Sequence, residues 1–179
     1  MKLLKTLGLL LLVIIAVPLI IGFFLPNEYE VNEEIVIDLP IDEVYDYAKL
    51  LENQKEYSKW QLTDPSMEHY FEGEDGTVGF ISGWKSDNPD VGSGEQEIVG
   101  ITPMKRIDYE LRFLEPFEST SNAFMSFQRM GDNQTQVNWG FEGEMGYPMN
   151  LMIPLMGMEK MISDDLQTGL QNLKSLLEK

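Results

Sequence analysis

The stretch from Tyr147 to Lys179 constrains the fold of this chain more than any other. From Met158 onward, Met158, Met161, Ile162, Leu166, Leu170, Leu173, Leu176 and Leu177 recur at helical spacing. That spacing predicts one face of an α-helix, with Glu159, Lys160, Asp164, Gln167, Gln171 and Lys174 on the other. Gly169 inside it costs up to ~1 kcal/mol against alanine, which points to close packing there. A helix of about 22 residues spans roughly 33 Å, and its apolar stripe needs a surface of similar length. No other part of the domain is patterned for so long a helix, so the expected partner is a sheet.

The middle of the chain supplies that sheet. Val31 to Leu39 carries the β-branched run Ile35, Val36 and Ile37 and suits a strand. Pro40 ends it and opens a helix with Asp42 and Glu43 in the first turn and Ile41, Val44, Tyr45, Ala48 and Leu51 on the apolar face. A short helical piece is expected over 53–60. Strands follow at 67–72, 77–84 and 95–101. The clearest is Arg106 to Leu114, where Ile107, Tyr109, Leu111 and Phe113 alternate with Asp108, Glu110 and Arg112. Ser121, Ala123, Met125 and Phe127 alternate in the next, and Thr135, Val137, Trp139 and Phe141 form one face of the last. Short turns between successive strands imply an antiparallel sheet. The expected class is α+β, with a curved sheet of about seven strands around the C-terminal helix.

The N-terminus belongs to something else. Leu7 to Leu25 is 19 residues without a charge, ~28 Å as a helix and close to the hydrocarbon thickness of a bilayer. Lys2 and Lys5 precede it and no further Lys or Arg occurs before Lys49. This pattern predicts a single-pass anchor with a cytoplasmic N-terminus and an extracytoplasmic domain. A cleaved signal peptide and a secreted domain form the alternative, with Pro18 as a helix break, but Gly22-Phe23-Phe24 is a poor cleavage site. The expected layout is an anchor over 1–26, an acidic linker over 27–32 and one domain over 33–179.

The whole chain carries a net charge of −17, a field that repels phosphates and excludes nucleic acid as a partner. Cysteine is absent, so no disulfide framework, thiol nucleophile or lipoprotein anchor is available. With one histidine, His69, clusters of His and Cys for a metal fail on number alone. Asp87-Asn88-Pro89-Asp90 and Glu95 lack EF-hand spacing and read as an acidic turn. Glu72, Glu74 and Asp75 are glycine-flanked and read as solvated turn residues. No metal and no cofactor are expected.

Ile37 to Tyr47, reading Ile-Asp-Leu-Pro-Ile-Asp-Glu-Val-Tyr-Asp-Tyr, followed by Trp60, resembles the opening of the SRPBCC superfamily, which includes START-like and polyketide cyclase/dehydrase-like proteins. Val78 to Trp84, Gly92-Ser93-Gly94, Thr102 to Ile107, Gly143-Glu144-Met145 and Leu166 to Leu173 are similar to later parts of the pattern, and the resemblance covers about 31–178. It implies a helix-grip fold, in which sheet and C-terminal helix enclose an apolar cavity for a hydrophobic ligand. Members include binders, transfer proteins and enzymes, so function must come from the site.

Six of the eleven methionines fall between 145 and 161, and methionine adapts to ligands of several shapes. The candidate ligand-binding residues are Met149, Met152 and Met156, opposite Trp84, Tyr109, Phe113, Phe127 and Trp139 on the sheet. Gly79 and Gly83 are expected to leave room on one strand face. The leading expectation is a membrane-anchored binder of a hydrophobic or amphipathic small molecule, lipid- or isoprenoid-like. The alternatives are a cyclase/dehydratase-like enzyme using Tyr109, Tyr147 or His69 as acid or base, and a tethered interaction module without ligand.

Overall fold

A computed structural model describes residues 2–179. The elements run α1 (Lys2–Phe24), β1 (Glu28–Ile37), α2 (Ile41–Ala48), a 3-10 turn (Leu51–Asn53), α3 (Gln54–Tyr57), α4 (Lys59–Thr63), β2 (Glu68–Glu72), β3 (Ile81–Lys85), β4 (Ser93–Thr102), β5 (Arg106–Glu115), β6 (Ser119–Arg129), β7 (Thr135–Glu144), a 3-10 turn (Met149–Leu151), α5 (Met152–Met156) and α6 (Met158–Leu177). All seven strands form one antiparallel sheet in the order β1-β7-β6-β5-β4-β3-β2. The α+β helix-grip architecture is therefore present, with the sheet curved about α6.

The long helix buries the stripe its spacing predicts: Ile162, Leu166, Leu170 and Leu173 lie in the core. Gly169 has a specific reason, since a Cβ there would lie 2.7 Å from the Trp139 ring. Its absence lets α6 settle onto β7. Gly157, at φ +61°, supplies the left-handed residue that breaks α5 from α6. The α2 face buries Ile41, Val44, Tyr45 and Ala48, an i, i+3, i+4, i+7 set. It closes one end of the sheet, where the Tyr45 ring meets Phe127 edge-on at 5.3 Å.

The first strand is longer than expected. Residues 28–32 are not a linker but the opening of β1, paired from Glu28↔Glu144 to Asn32↔Gly140. Glu28 and Glu30 face out while Tyr29 and Val31 face in, an alternation consistent with an edge strand whose outer face carries charge. Gly83 also differs from expectation. The Tyr70 ring lies across it, 2.0 Å from where a Cβ would stand, and the Tyr70 hydroxyl donates to Glu95 at 2.5 Å. Its missing side chain accommodates an aromatic on the outer face and leaves no void. Gly79 sits in the turn before β3 at φ +91°.

Arg112 gathers Glu95, Glu97 and Glu110 on that outer face at 3.1, 2.7 and 2.7 Å. The Tyr70 hydrogen bond, then Arg112, hold the Glu95 carboxyl below its usual range. Burial and the same hydrogen bond push the Tyr70 hydroxyl up to about 12. Asp75 is likewise more than a solvated turn residue. Its carboxylate accepts from the Leu51 and Glu52 amides at 2.8 and 3.0 Å, holding the start of the 3-10 turn.

Candidate ligand-binding cavity

Between the inner face of β3–β7, the short helices α3 and α4, and α6 lies a cavity of about 610 Å³. Small-molecule sites run to roughly 300–1,000 Å³. Alternation along each strand builds its sheet wall: Trp84 from β3, Gln96 from β4, Leu111 and Phe113 from β5, Ser121 and Ala123 from β6, and Trp139 and Phe141 from β7. Trp84 and Phe113 meet edge-on at 6.1 Å. Trp139 packs edge-on against both Tyr57 and Trp60, at 5.8 and 6.2 Å. The opposite wall is Met158, Met161, Ile162 and Leu166 of α6, with Met145 and Met149 from the segment before it.

Of the eight residues expected at the site, Trp84, Phe113, Trp139 and Met149 line this cavity. Tyr109 and Phe127 do not. They have the expected parity but lie further along their strands, in the core closed by α2. Met152 and Met156 are also outside the lining, and Met156 is turned to solvent. The methionines that reach the cavity are Met67, Met145, Met149, Met158 and Met161.

The polar part of the lining was not anticipated. Gln54 and Gln61 come from α3 and α4, Ser58 from the junction between them, and Gln96 from β4. Gln54 is only 4% exposed. It stands beside the Tyr57 hydroxyl, yet its Nε2 completes no hydrogen bond, and Gln61 Oε1 is also buried without a partner. Buried polar atoms normally have partners, and these two are enclosed by the protein rather than open to the cavity. The signal in the sequence is the spacing of Gln54, Ser58 and Gln61, which reads as a solvated helix face. No Lys, Arg or His is among the lining residues, whereas Glu118 and Glu144 are.

The three acid–base candidates do not converge on the cavity. Tyr109 is fully buried in the core, and burial holds its hydroxyl far above the ordinary tyrosine range. His69 stacks on Phe71 at the far edge of the sheet, its pKa lowered by burial and by Lys55. Tyr147 is half-exposed, with its ring edge-on to Phe23. Among the described residues no group of three or more His, Asp or Glu side chains is arranged to hold a metal.

A curved antiparallel sheet gripping a C-terminal helix over an apolar cavity defines the helix-grip class, in the manner of Bet v1-like and SRPBCC-type proteins. The chain belongs to the polyketide cyclase/dehydrase and lipid transport family, whose model matches residues 28–178. Norcoclaurine synthase from Thalictrum flavum, solved with dopamine and hydroxybenzaldehyde, is similar at a TM-score of 0.60 and 10% identity, over 84% of this chain and 86% of that one. The solution structure of the Aha1 dimer from Colwellia psychrerythraea is similar at 0.56 and 14%, over 84% and 96%. A protein from Thermus thermophilus is similar at 0.59 and 18%, over 83% and 97%. At such identities these likenesses show the fold. No curated protein matches. Family and fold together support a hydrophobic-ligand-binding domain in general.

Proposed function

We propose that the protein is a membrane-anchored binder of a neutral, amphipathic small molecule of lipid or isoprenoid type, held between the sheet and α6. The observation that carries this reading is the lining itself. Aromatic, aliphatic and methionine side chains bury an apolar body at ~25 cal/mol per Å². Gln54, Ser58, Gln61 and Gln96 add neutral polar side chains to that lining, which suit a carbonyl, amide or hydroxyl group. A carboxylate or phosphate would meet no cation and would face Glu118 and Glu144, a burial that an unpaired charge does not tolerate.

A long-chain alcohol and the fatty acid of equal length separate the two chemistries. In phosphatidylcholine nanodiscs carrying the full chain at pH 8, the alcohol is expected to shift the tryptophan emission and saturate at one equivalent. Trp60, Trp84 and Trp139 all report on the cavity. The fatty acid is expected to bind at least about tenfold more weakly, a difference of ~1.4 kcal/mol. Equal or tighter binding of the acid overturns the neutral-ligand reading.

The anchor in this reading is α1. Among the described residues it is the one helix long and apolar enough to cross a membrane, judged by length and composition. Lys2 and Lys5 at its N-terminal end, ahead of the uncharged run from Leu7, with no further Lys or Arg until Lys49, favour an extracytoplasmic domain. Protease added to intact spheroplasts is then expected to digest the domain, and complete protection there reverses the orientation.

A further inference from the structure

The end of α1 is fastened to the cavity's edge. Asn150 is 1% exposed and donates from Nδ2 to the Gly22 and Leu25 carbonyls at 2.7 and 3.2 Å. Carbonyls in the last turn of a helix lack partners within it, so Asn150 acts as a cap supplied from elsewhere in the chain. Gly22 permits the approach, since a Cβ there would stand 2.8 Å from Leu151 Cγ. The Met145 amide adds a third tie, donating to the Asn27 carbonyl at 2.7 Å. Met145 and Met149, in the segment so held, line the cavity.

That segment is uncharged from Met145 through Met158; Ile153 is buried, but other apolar side chains are left in water. Leu155 is 77% and Met156 61% exposed, while Phe117, in the β5–β6 turn at the same cavity's edge, is 83% exposed. Phe117 and Met149 line the cavity while exposed to water, and Leu155 and Met156 lie in α5 directly after the Met149 turn. Exposed apolar side chains so close to a cavity mark an interaction surface. The occupant follows from α1. Gly22 lies about 5 Å along the helix from Leu25 at ~1.5 Å per residue. Whatever touches Gly22 therefore stands at the boundary between acyl chains and headgroups when α1 spans a bilayer.

We infer that Asn150 clamps the domain to its own anchor so that the apolar edge of the cavity rests in the bilayer surface and ligand passes between membrane and cavity without crossing water. This rests on the anchored-binder reading above. Leu155, Met156 and Phe117 enter the headgroup region, as the apolar face of an interfacial helix does, and the phospholipid bilayer is the partner.

The absence of cysteine makes the test clean. Spin labels are placed at Leu155→Cys and, as a solvent-facing control, at Thr168→Cys on α6, in the full chain reconstituted into phosphatidylcholine vesicles. The Leu155 label is expected to be accessible to oxygen and shielded from a water-soluble nickel chelate, and the Thr168 label the reverse. Asn150→Ala, which removes both capping bonds, and Gly22→Leu, which acts from the anchor side and leaves the domain sequence intact, are each expected to lower the shielded fraction roughly fivefold or more. Both should also slow transfer of a pyrene-labelled long-chain alcohol from vesicles into the cavity, while its final occupancy is unchanged. A Leu155 label as exposed to nickel as the Thr168 label overturns docking. So does shielding that persists in lipid-free detergent and rises with protein concentration, which would assign the surface to a second copy. If the pyrene alcohol fails to bind while the Leu155 label is shielded, the binder reading fails and the docking stands.

Discussion

Replacing Leu170 by alanine is expected to cost the domain about 2–5 kcal/mol, read as a fall in the urea midpoint at unchanged slope. Leu170 is fully buried at the centre of the α6 stripe, away from the cavity lining, so its removal leaves a void enclosed on all sides. Leu166, one turn earlier, borders the cavity. Truncation there enlarges a space that already exists, and its cost should fall at the lower end of the range. Gln171, next to Leu170 but on the exposed face, should change stability by no more than ~0.5 kcal/mol when truncated. Similar losses at Leu170 and Gln171 would mean that α6 presents another face to the sheet.

That prediction rests on what hydrophobic period reveals best, which is a long helix and its buried face. The alternation in β5 and β7 was equally legible, because Ile107 and Tyr109, or Val137 and Trp139, must face inward together. Parity says which face a residue occupies and nothing about its place along the strand. Tyr109 and Phe127 therefore look identical to Leu111 and Ala123 on paper, although α2 closes the sheet over the first pair and the cavity opens beneath the second. The start of β1 was obscured for another reason. Its outer face carries Glu28 and Glu30, and charge on one side of an edge strand resembles a solvated linker when residues are read singly.

The glycines and glutamines show a second limit. Gly83 and Gly169 both give up a side chain to an aromatic ring, Tyr70 in one case and Trp139 in the other. Which ring fills which gap depends on a partner distant in sequence. Only Gly169 carried a local sign of close packing, as a costly residue inside a strong helix. Gln54 and Gln61 sat on short helical pieces where polar residues usually face water. Their burial arises because α3 and α4 turn back over the cavity, an arrangement no local pattern encodes. Asn150 is a similar case, being a polar residue among methionines whose partners are carbonyls far back in the chain, at Gly22 and Leu25.

Two alanines allow the same added volume to be placed in a cavity and in a packed core. Ala123 is buried on β6, lies between Tyr109 of β5 and Phe141 of β7, and lines the cavity. Ala48 is fully buried at the end of α2, where it is part of the hydrophobic core and outside the cavity lining. Ala123→Phe is expected to hold stability within about 1 kcal/mol, because the ring can enter space already present. It should weaken a neutral long-chain alcohol by roughly tenfold or more, since ring and ligand compete for one volume. Ala48→Phe is expected to do the reverse, overpacking the interior at ~1–3 kcal/mol and leaving alcohol affinity unchanged in the folded fraction. Urea midpoints and tryptophan titrations on the two variants check both halves. Equal stability losses, with binding unaffected at Ala123, would show that β6 faces a solid interior, and the ligand site would have to be sought outside the grip of sheet and helix.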